Sequence, residues 1–195
     1  MRAIEATFLY GAADATEIWL VRHADCYLDM GPDPDPPLSS WGREQALKLA
    51  ARAKAAGVAA TYSSQSARAI QTARAVMEPV QDERLREFGN DAWSAAEAAA
   101  SDNQVNFTED VGDAQARISA ALDEIAARHP GQRVLVASHG GIILAHLCDL
   151  LRVEFPKLRI LPYYTSVTEI RHRDGTRRIG SIGDTAQLEP ITAPP

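Results

Sequence analysis

Two histidines in this sequence stand where an imidazole can act on a phosphate. Arg22-His23 ends the apolar run Ile18-Trp19-Leu20-Val21, and Ser138-His139-Gly140-Gly141 follows Val134-Leu135-Val136-Ala137. An imidazole beside a permanent cation suits a nucleophile attacking a phosphate that the guanidinium also binds. The cation disfavours protonation of the ring and so keeps an attacking nitrogen available. Alone, Arg-His is a common dipeptide whose ordinary place is a solvated surface. The glycines after His139 let backbone approach a ligand; the plainer reading is a buried turn histidine. A third stretch, Ser63 to Ala73, passes through a serine-rich turn into a helix with Arg68 in its first turn. Guanidinium and helix dipole there favour the same bound anion; the plainer reading is a capped helix with an exposed arginine.

Positioning these groups requires strands that end at one place. Residues 17 to 22 form a short apolar run that predicts a buried strand with His23 at its carboxyl end, and Arg133 to Ala137 does the same for His139. Between them, Gly31 to Pro37 carries four prolines and two aspartates and predicts a loop. Ser39 or Ser40 caps a helix running to about Ala56, with Leu47, Ala50 and Ala51 on one face and Gly57 as its stop. A strand over Val58–Tyr62 follows, then a helix from Ser66 to about Met77 with Ile70, Ala73 and Met77 in register and Pro79 beyond its end.

Glu87 to Asp110 shows little periodicity and reads as a lid-like insertion. Val111–Arg128 predicts a long helix burying Ile118, Leu122 and Ile125, and Ile142–Leu151 a short apolar one. Ser166–His172 and Arg178–Ile182 predict strands joined by an Asp174-Gly175 hairpin turn. Residues 186–195 read as a loose tail. Alternating strands and helices imply a single α/β domain over 1–195, a three-layer αβα sandwich around a mainly parallel sheet, with ligands bound beyond the strands' carboxyl ends.

Composition narrows the chemistry. The 195 residues, 46% hydrophobic and 24% charged, suit one soluble domain. A formal net charge of -6 and a pI near 5.4 argue against a nucleic-acid partner, which needs a broad basic surface. A single pocket can still oppose that net charge and take a small anion. Cys26 and Cys148 belong to no CxxC pair or zinc-like spacing, so reduced thiols in a cytoplasm are expected. No long apolar run is present, so neither signal peptide nor membrane span is expected.

Taken together, the motifs resemble the histidine phosphatase superfamily, the phosphoglycerate mutase-like proteins of branch 1. The family's Arg-His-Gly corresponds to Arg22-His23-Ala24, and its Leu-Thr-x-x-Gly-x-x-Gln-Ala helix start to Leu38 through Ala46. Its Ser-x-x-x-Arg-Ala-x-Gln-Thr-Ala helix corresponds to Ser64–Ala73, its Leu-x-Glu to Leu85-Arg86-Glu87 and its Ser-His-Gly-Gly to Ser138–Gly141. The resemblance covers nearly the whole chain. It implies a phosphoglycerate mutase-like fold in which His23 becomes phosphohistidine. Arg22, Arg68 and His139 would hold the phosphoryl oxygens, and Glu87 would protonate the leaving alkoxide. Without the motif order, Glu87 reads as a surface glutamate. A small-molecule phosphate ester as partner, no cofactor, no metal and a possible homodimer complete the expectation.

The departures lie just after the nucleophile. Ala24 replaces glycine, and its methyl would narrow the pocket if the backbone there required positive φ; Asp25, Cys26 and Asp29 also differ, and Asp29 would repel an anion. Rival readings are a non-catalytic phosphate-binding module of the same fold, a metallohydrolase using His23, Asp25 and His139, and a phosphoglycerate mutase-type phosphotransferase. The mutase is expected to carry a larger insertion after Glu87 than this chain has. Trp93 would wall the substrate side of the pocket; the plainer reading is packing within the lid. Gly183-Asp184-Thr185 resembles a late family segment near the site, with no catalytic role assigned. His129, His146 and His172 read as structural.

Overall fold

The computed structural model describes residues 15–26, 35–88, 109–155, 157–158, 160 and 162–188. The expectations for Asp29 and Trp93, and for most of the insertion after Glu87, fall outside them. In chain order the elements are β1 (Thr16–Arg22), α1 (Ser40–Ala55), β2 (Val58–Ser63), α2 (Ala67–Arg74), β3 (Val80–Gln81), a 3-10 turn (Glu83–Leu85), α3 (Val111–Arg128), β4 (Arg133–Ser138), α4 (Gly140–Leu151), β5 (Val167–Arg173), β6 (Thr176–Asp184) and a second 3-10 turn (Ala186–Leu188).

The strands form one six-stranded sheet in the order β3-β2-β4-β1-β5-β6. β3, β2, β4 and β1 are mutually parallel, whereas β5 runs antiparallel to β1 and to β6, so the sheet is mixed. Asp174 and Gly175, at φ 49° and 71°, make the tight turn between β5 and β6, as an Asp-Gly pair at both left-handed positions predicts.

Strand alternation supplies both faces of the core. Ile18 and Leu20 of β1 and Val134 and Val136 of β4 face Ile118, Leu122 and Ile125 of α3 and Ile142 and Ile143 of α4. Trp19, Val21, Leu135 and Ala137 face the other way, against Leu49 and Ala53 of α1 and Ala69 and Ala73 of α2. Each fully buried Ile or Leu contributes roughly 1.5–3 kcal/mol, so the strand ends that carry the two histidines rest on a core packed from both sides.

Several sequence expectations change. The buried face of α1 is Gly42, Gln45, Ala46, Leu49 and Ala53, not the Leu47, Ala50 and Ala51 stripe; Leu47 is 64% exposed. A helical period started from Gly42 selects those positions, and Gly42 is fixed by what it touches at the site. α2 stops at Arg74, short of Met77. Ala73 is buried and Ile70 only half-buried, while Thr72, a polar residue, takes a core position. The two-residue strand β3 has too little sequence for a period. Residues 186–188 are not a loose tail: Leu188 is buried, and Gln187 bonds both Arg52 Nη1 (2.6 Å) and the Thr165 carbonyl (2.7 Å).

Candidate active site

Adjacent parallel strands deliver three of the side chains. Arg22 pairs with Ser138, and Ser63 with Ala137, so β1, β4 and β2 end level. The pairing continues one step: His23 N–H donates to the Ser138 carbonyl (2.8 Å) and Ser64 N–H to the Ala137 carbonyl (3.1 Å). His23, Ser64 and His139 therefore meet at one end of the sheet. The His23 and His139 rings lie edge to face, 5.3 Å between centroids.

His23 is 3% exposed, and its Nδ1 lies 2.7 Å from its own residue's neighbour, the Ala24 carbonyl. That carbonyl can only accept, so Nδ1 carries the proton and Nε2 bears a lone pair. Burial pushes the ring's pKa well below its ordinary value, and His139, Arg22 and Arg68 push it further the same way. Desolvation thus outweighs the neighbouring cation that the dipeptide alone suggests.

Arg22 is held on all sides. Its Nη1 donates to the Pro162 carbonyl (3.0 Å), its own carbonyl accepts from Thr165 N–H (2.9 Å), and its guanidinium lies 4.1 Å over the Tyr164 ring. Thr165, a β-branched residue, sits at φ 56°, a costly conformation that turns the chain so that Tyr164 covers the arginine. Gly140 gives Arg22 room, since a Cβ there would come within 3.3 Å of Nε.

His139 is fully buried. Its Nε2 lies 2.7 Å from Ser64 Oγ and its Nδ1 3.4 Å from Arg68 Nη2. Arginine only donates, so Nδ1 is the accepting nitrogen and Nε2–H points to the serine. Burial, then Arg68 and Arg22, lower the pKa of His139 well below its usual value. Glu87 enters at the start of α4: its carboxylate accepts from Gly141 N–H (2.9 Å), Ile142 N–H (2.8 Å) and Phe88 N–H (3.1 Å). A Cβ on Gly141 would lie 2.8 Å from Glu87 Oε1, so the second glycine of the motif is what admits the carboxylate. Glu87 keeps some solvent contact, yet loss of hydration dominates and raises its pKa despite these hydrogen bonds.

Ala24 is not among the residues at positive φ, so the expected strain there is absent. Its methyl is fully buried against Leu38 and Ala46, and its N–H donates to Thr72 Oγ1 (2.9 Å). Asp25 faces away from the rings toward α1: its N–H donates to Gln45 Oε1 (2.9 Å), and its carboxylate accepts from Ser39 Oγ. Gly42 must be glycine, because a Cβ would stand 1.9 Å from the Asp25 carbonyl. Cys26 is a free, buried thiol whose pKa burial raises to about 11. No group of three or more His, Cys, Asp or Glu among the described residues is disposed to hold a metal ion, so His23, Asp25 and His139 do not form one.

The start of α2 holds a residue that the sequence did not announce. The anion at that helix end is internal: Asp35 accepts two hydrogen bonds from Ala67 N–H (3.0 and 2.8 Å) and lies 3.3 Å from Arg68 Nη1. Asp35, Tyr164 and Thr165 carry no role in the sequence reading. A lone aspartate in a proline-rich loop, and a Tyr-Tyr-Thr run, announce neither helix capping nor arginine stacking. Asp184 pairs with Arg52 (2.6 Å) at the end of β6, opposite Val167 of β5.

The α/β sheet gathers two buried histidines, two arginines and a half-buried carboxyl at one end, a set able to neutralise an anion and move a proton. The chain belongs to the histidine phosphatase superfamily, branch 1, whose family model matches residues 18–185. Among its relatives is phosphoglycerate mutase-like protein 4 of Arabidopsis thaliana, 28% identical over 95% of this chain and 92% of that protein. Among solved structures, Bacillus stearothermophilus YhfR superposes with a TM-score of 0.74 at 30% identity, covering 90% of this chain and all of its own. A phosphoserine phosphatase mutant of Entamoeba histolytica, at 19% identity and a TM-score of 0.71, covers 89% of this chain and 99% of its own and shares the fold.

Proposed function

We propose that this protein hydrolyses small-molecule phosphate monoesters by way of a phosphohistidine on His23. The observation that carries the reading is the state of that ring. Its Nδ1 is committed to the Ala24 carbonyl, and its pKa is lowered by burial and by both arginines, so Nε2 is unprotonated. A neutral imidazole nitrogen beside two guanidinium groups is a nucleophile placed where phosphoryl oxygens are neutralised.

In the first step Nε2 attacks phosphorus. The N–P bond forms as the P–O ester bond breaks, and Glu87 delivers its proton to the departing alkoxide. A raised carboxyl pKa is what such an acid needs. Arg22 and Arg68 take up charge on the phosphoryl oxygens, which is most of what phosphoryl transfer asks of a protein, and His139 joins them when the incoming phosphate displaces Ser64 from its Nε2–H. In the second step water attacks phosphorus, the N–P bond breaks, Glu87 takes the water's proton and inorganic phosphate leaves. The two free thiols support a cytoplasmic setting.

The test is release of inorganic phosphate from an aryl phosphate and from a panel of metabolite monoesters, with chelator present, in wild type and His23→Ala. The reading expects chelator-resistant turnover that the variant loses. No turnover of any ester, with vanadate still bound by the wild type, would favour a recognition module; turnover abolished by chelator would favour metal-assisted hydrolysis.

A further inference from the structure

We infer that Asp35 is a positioning residue of the phosphate clamp: it holds Arg68, and through Arg68 it sets the orientation of His139. This rests on the phosphatase reading above. The contacts form an unbroken chain. Asp35 bonds Ala67 N–H with both carboxylate oxygens and lies 3.3 Å from Arg68 Nη1, Arg68 Nη2 lies 3.4 Å from His139 Nδ1, and His139 Nε2 lies 2.7 Å from Ser64 Oγ.

The segment that carries Asp35 is tied down at both ends to the same helix. Asp35 grips the first turn of α2, and Leu38 N–H donates to Gln71 Oε1 (2.9 Å) one turn further along. Between them Pro36 and Pro37 fix their own φ, so the carboxylate is presented with little freedom. Leu38 is 1% exposed, bridges Cys26 and packs on Ala24, the residue after His23. The strap therefore links α2 to the turn that follows the nucleophile.

Arginine has five N–H donors in a planar fork. Asp35 engages one edge of that fork and His139 another, leaving the remaining donors for a phosphoryl group. Without Asp35, Arg68 would have to lose its rotamer freedom at the moment of binding, and that cost would appear as weaker affinity for the anion. Asp35 also opposes the charge of Arg68, so a second possibility has the opposite sign: a carboxylate that competes with phosphate for the guanidinium. The two are separated by the direction in which affinity moves.

The experiment measures kcat and KM for an aryl phosphate, and the dissociation constant of vanadate by calorimetry, for wild type, Asp35→Ala, Asp35→Asn and Arg68→Lys, with folding followed by circular dichroism. Positioning predicts that Asp35→Ala raises KM and the vanadate constant by on the order of tenfold, with a smaller loss in kcat. Asp35→Asn, which keeps an acceptor for Ala67 N–H, should recover part of the loss, and adding Arg68→Lys to Asp35→Ala should weaken binding little beyond either change alone. Vanadate bound as tightly as by wild type, or more tightly, in a folded Asp35→Ala would overturn the inference. If Asp35→Ala does not fold, unchanged or tighter vanadate binding by Asp35→Asn overturns it instead. Wild type that neither binds vanadate nor turns over an ester overturns the phosphatase reading and this inference with it, whereas a binding wild type with an unaffected variant overturns this inference alone.

Discussion

The hydroxyl of Ser64 lies 2.7 Å from Nε2 of His139, and both residues are fully buried. Ser64 ends one strand's run and His139 ends the next, so the bond joins two strand ends across the site and fixes which face His139 turns to His23. Ser64→Ala leaves a buried N–H without its acceptor, which costs roughly 1–3 kcal/mol. The expected result is a lower urea midpoint together with a fall in kcat/KM. A variant with wild-type stability and activity would show that the bond does not hold His139.

Gly42 tests the other side of His23. A methyl at 1.9 Å from the Asp25 carbonyl forces α1 away from the turn after the nucleophile, and overpacking of this kind costs about 1–3 kcal/mol. Gly42→Ala should lose stability and activity together. Gly57→Ala is the comparison: its φ of 71° makes it unfavourable but nothing lies near it, so stability should fall while kcat/KM at a temperature well below unfolding stays as it was.

Leaving-group chemistry isolates Glu87. If its carboxyl gives the proton to the alkoxide, Glu87→Gln should reduce kcat for alkyl phosphates far more than for a nitrophenyl phosphate, whose leaving group needs no proton. The alkyl loss should reach on the order of 10²-fold or more. Equal losses on both substrates would place Glu87 in a purely structural role, holding the start of α4.

Stability should fall in acid, and the sign follows from buried histidines. His146, with Ser119 Oγ 3.3 Å from Nδ1, has its pKa lowered to about 3, chiefly by burial; His172, paired with Asp123 at 3.3 Å, has its pKa lowered to about 4, again chiefly by burial. Their folded values lie below the unfolded value near 6.5, so the unfolded chain binds protons first. Stability is fully present above about pH 6.5 and is lost as pH falls toward the folded values, at up to about 1.4 kcal/mol per pH unit for each histidine. Thermal melts from pH 7 to pH 4 should show this decline, and His146→Gln should flatten it. A melting temperature independent of pH over that range would contradict the account.

Much of the frame was legible because strong periodicity and close motif spacing are local signals. The strands ending at His23 and His139, the helix Val111–Arg128 and the Asp-Gly hairpin all follow from runs of apolar residues and turn chemistry. The buried face of α1 was not legible, because alanines stand on both faces, Ala46 and Ala53 buried and Ala51 and Ala55 exposed, and leave little contrast; what selects Gly42 is a contact with a loop distant in sequence. The same holds for Asp35, Thr165 and Gln187, whose roles come from three-dimensional closure rather than from their neighbours. Ala24 shows the converse: a change from the family's glycine looked costly, but the backbone there needs no positive φ.

Trapping the intermediate asks whether His23 itself carries the phosphoryl group. Wild type mixed with a radiolabelled aryl phosphate and quenched in alkali within one turnover should carry label on a single peptide containing His23, stable to base and released by acid, and His23→Ala should carry none. Label that survives acid and is lost in base, label on another residue, or turnover undiminished in His23→Ala would contradict the account.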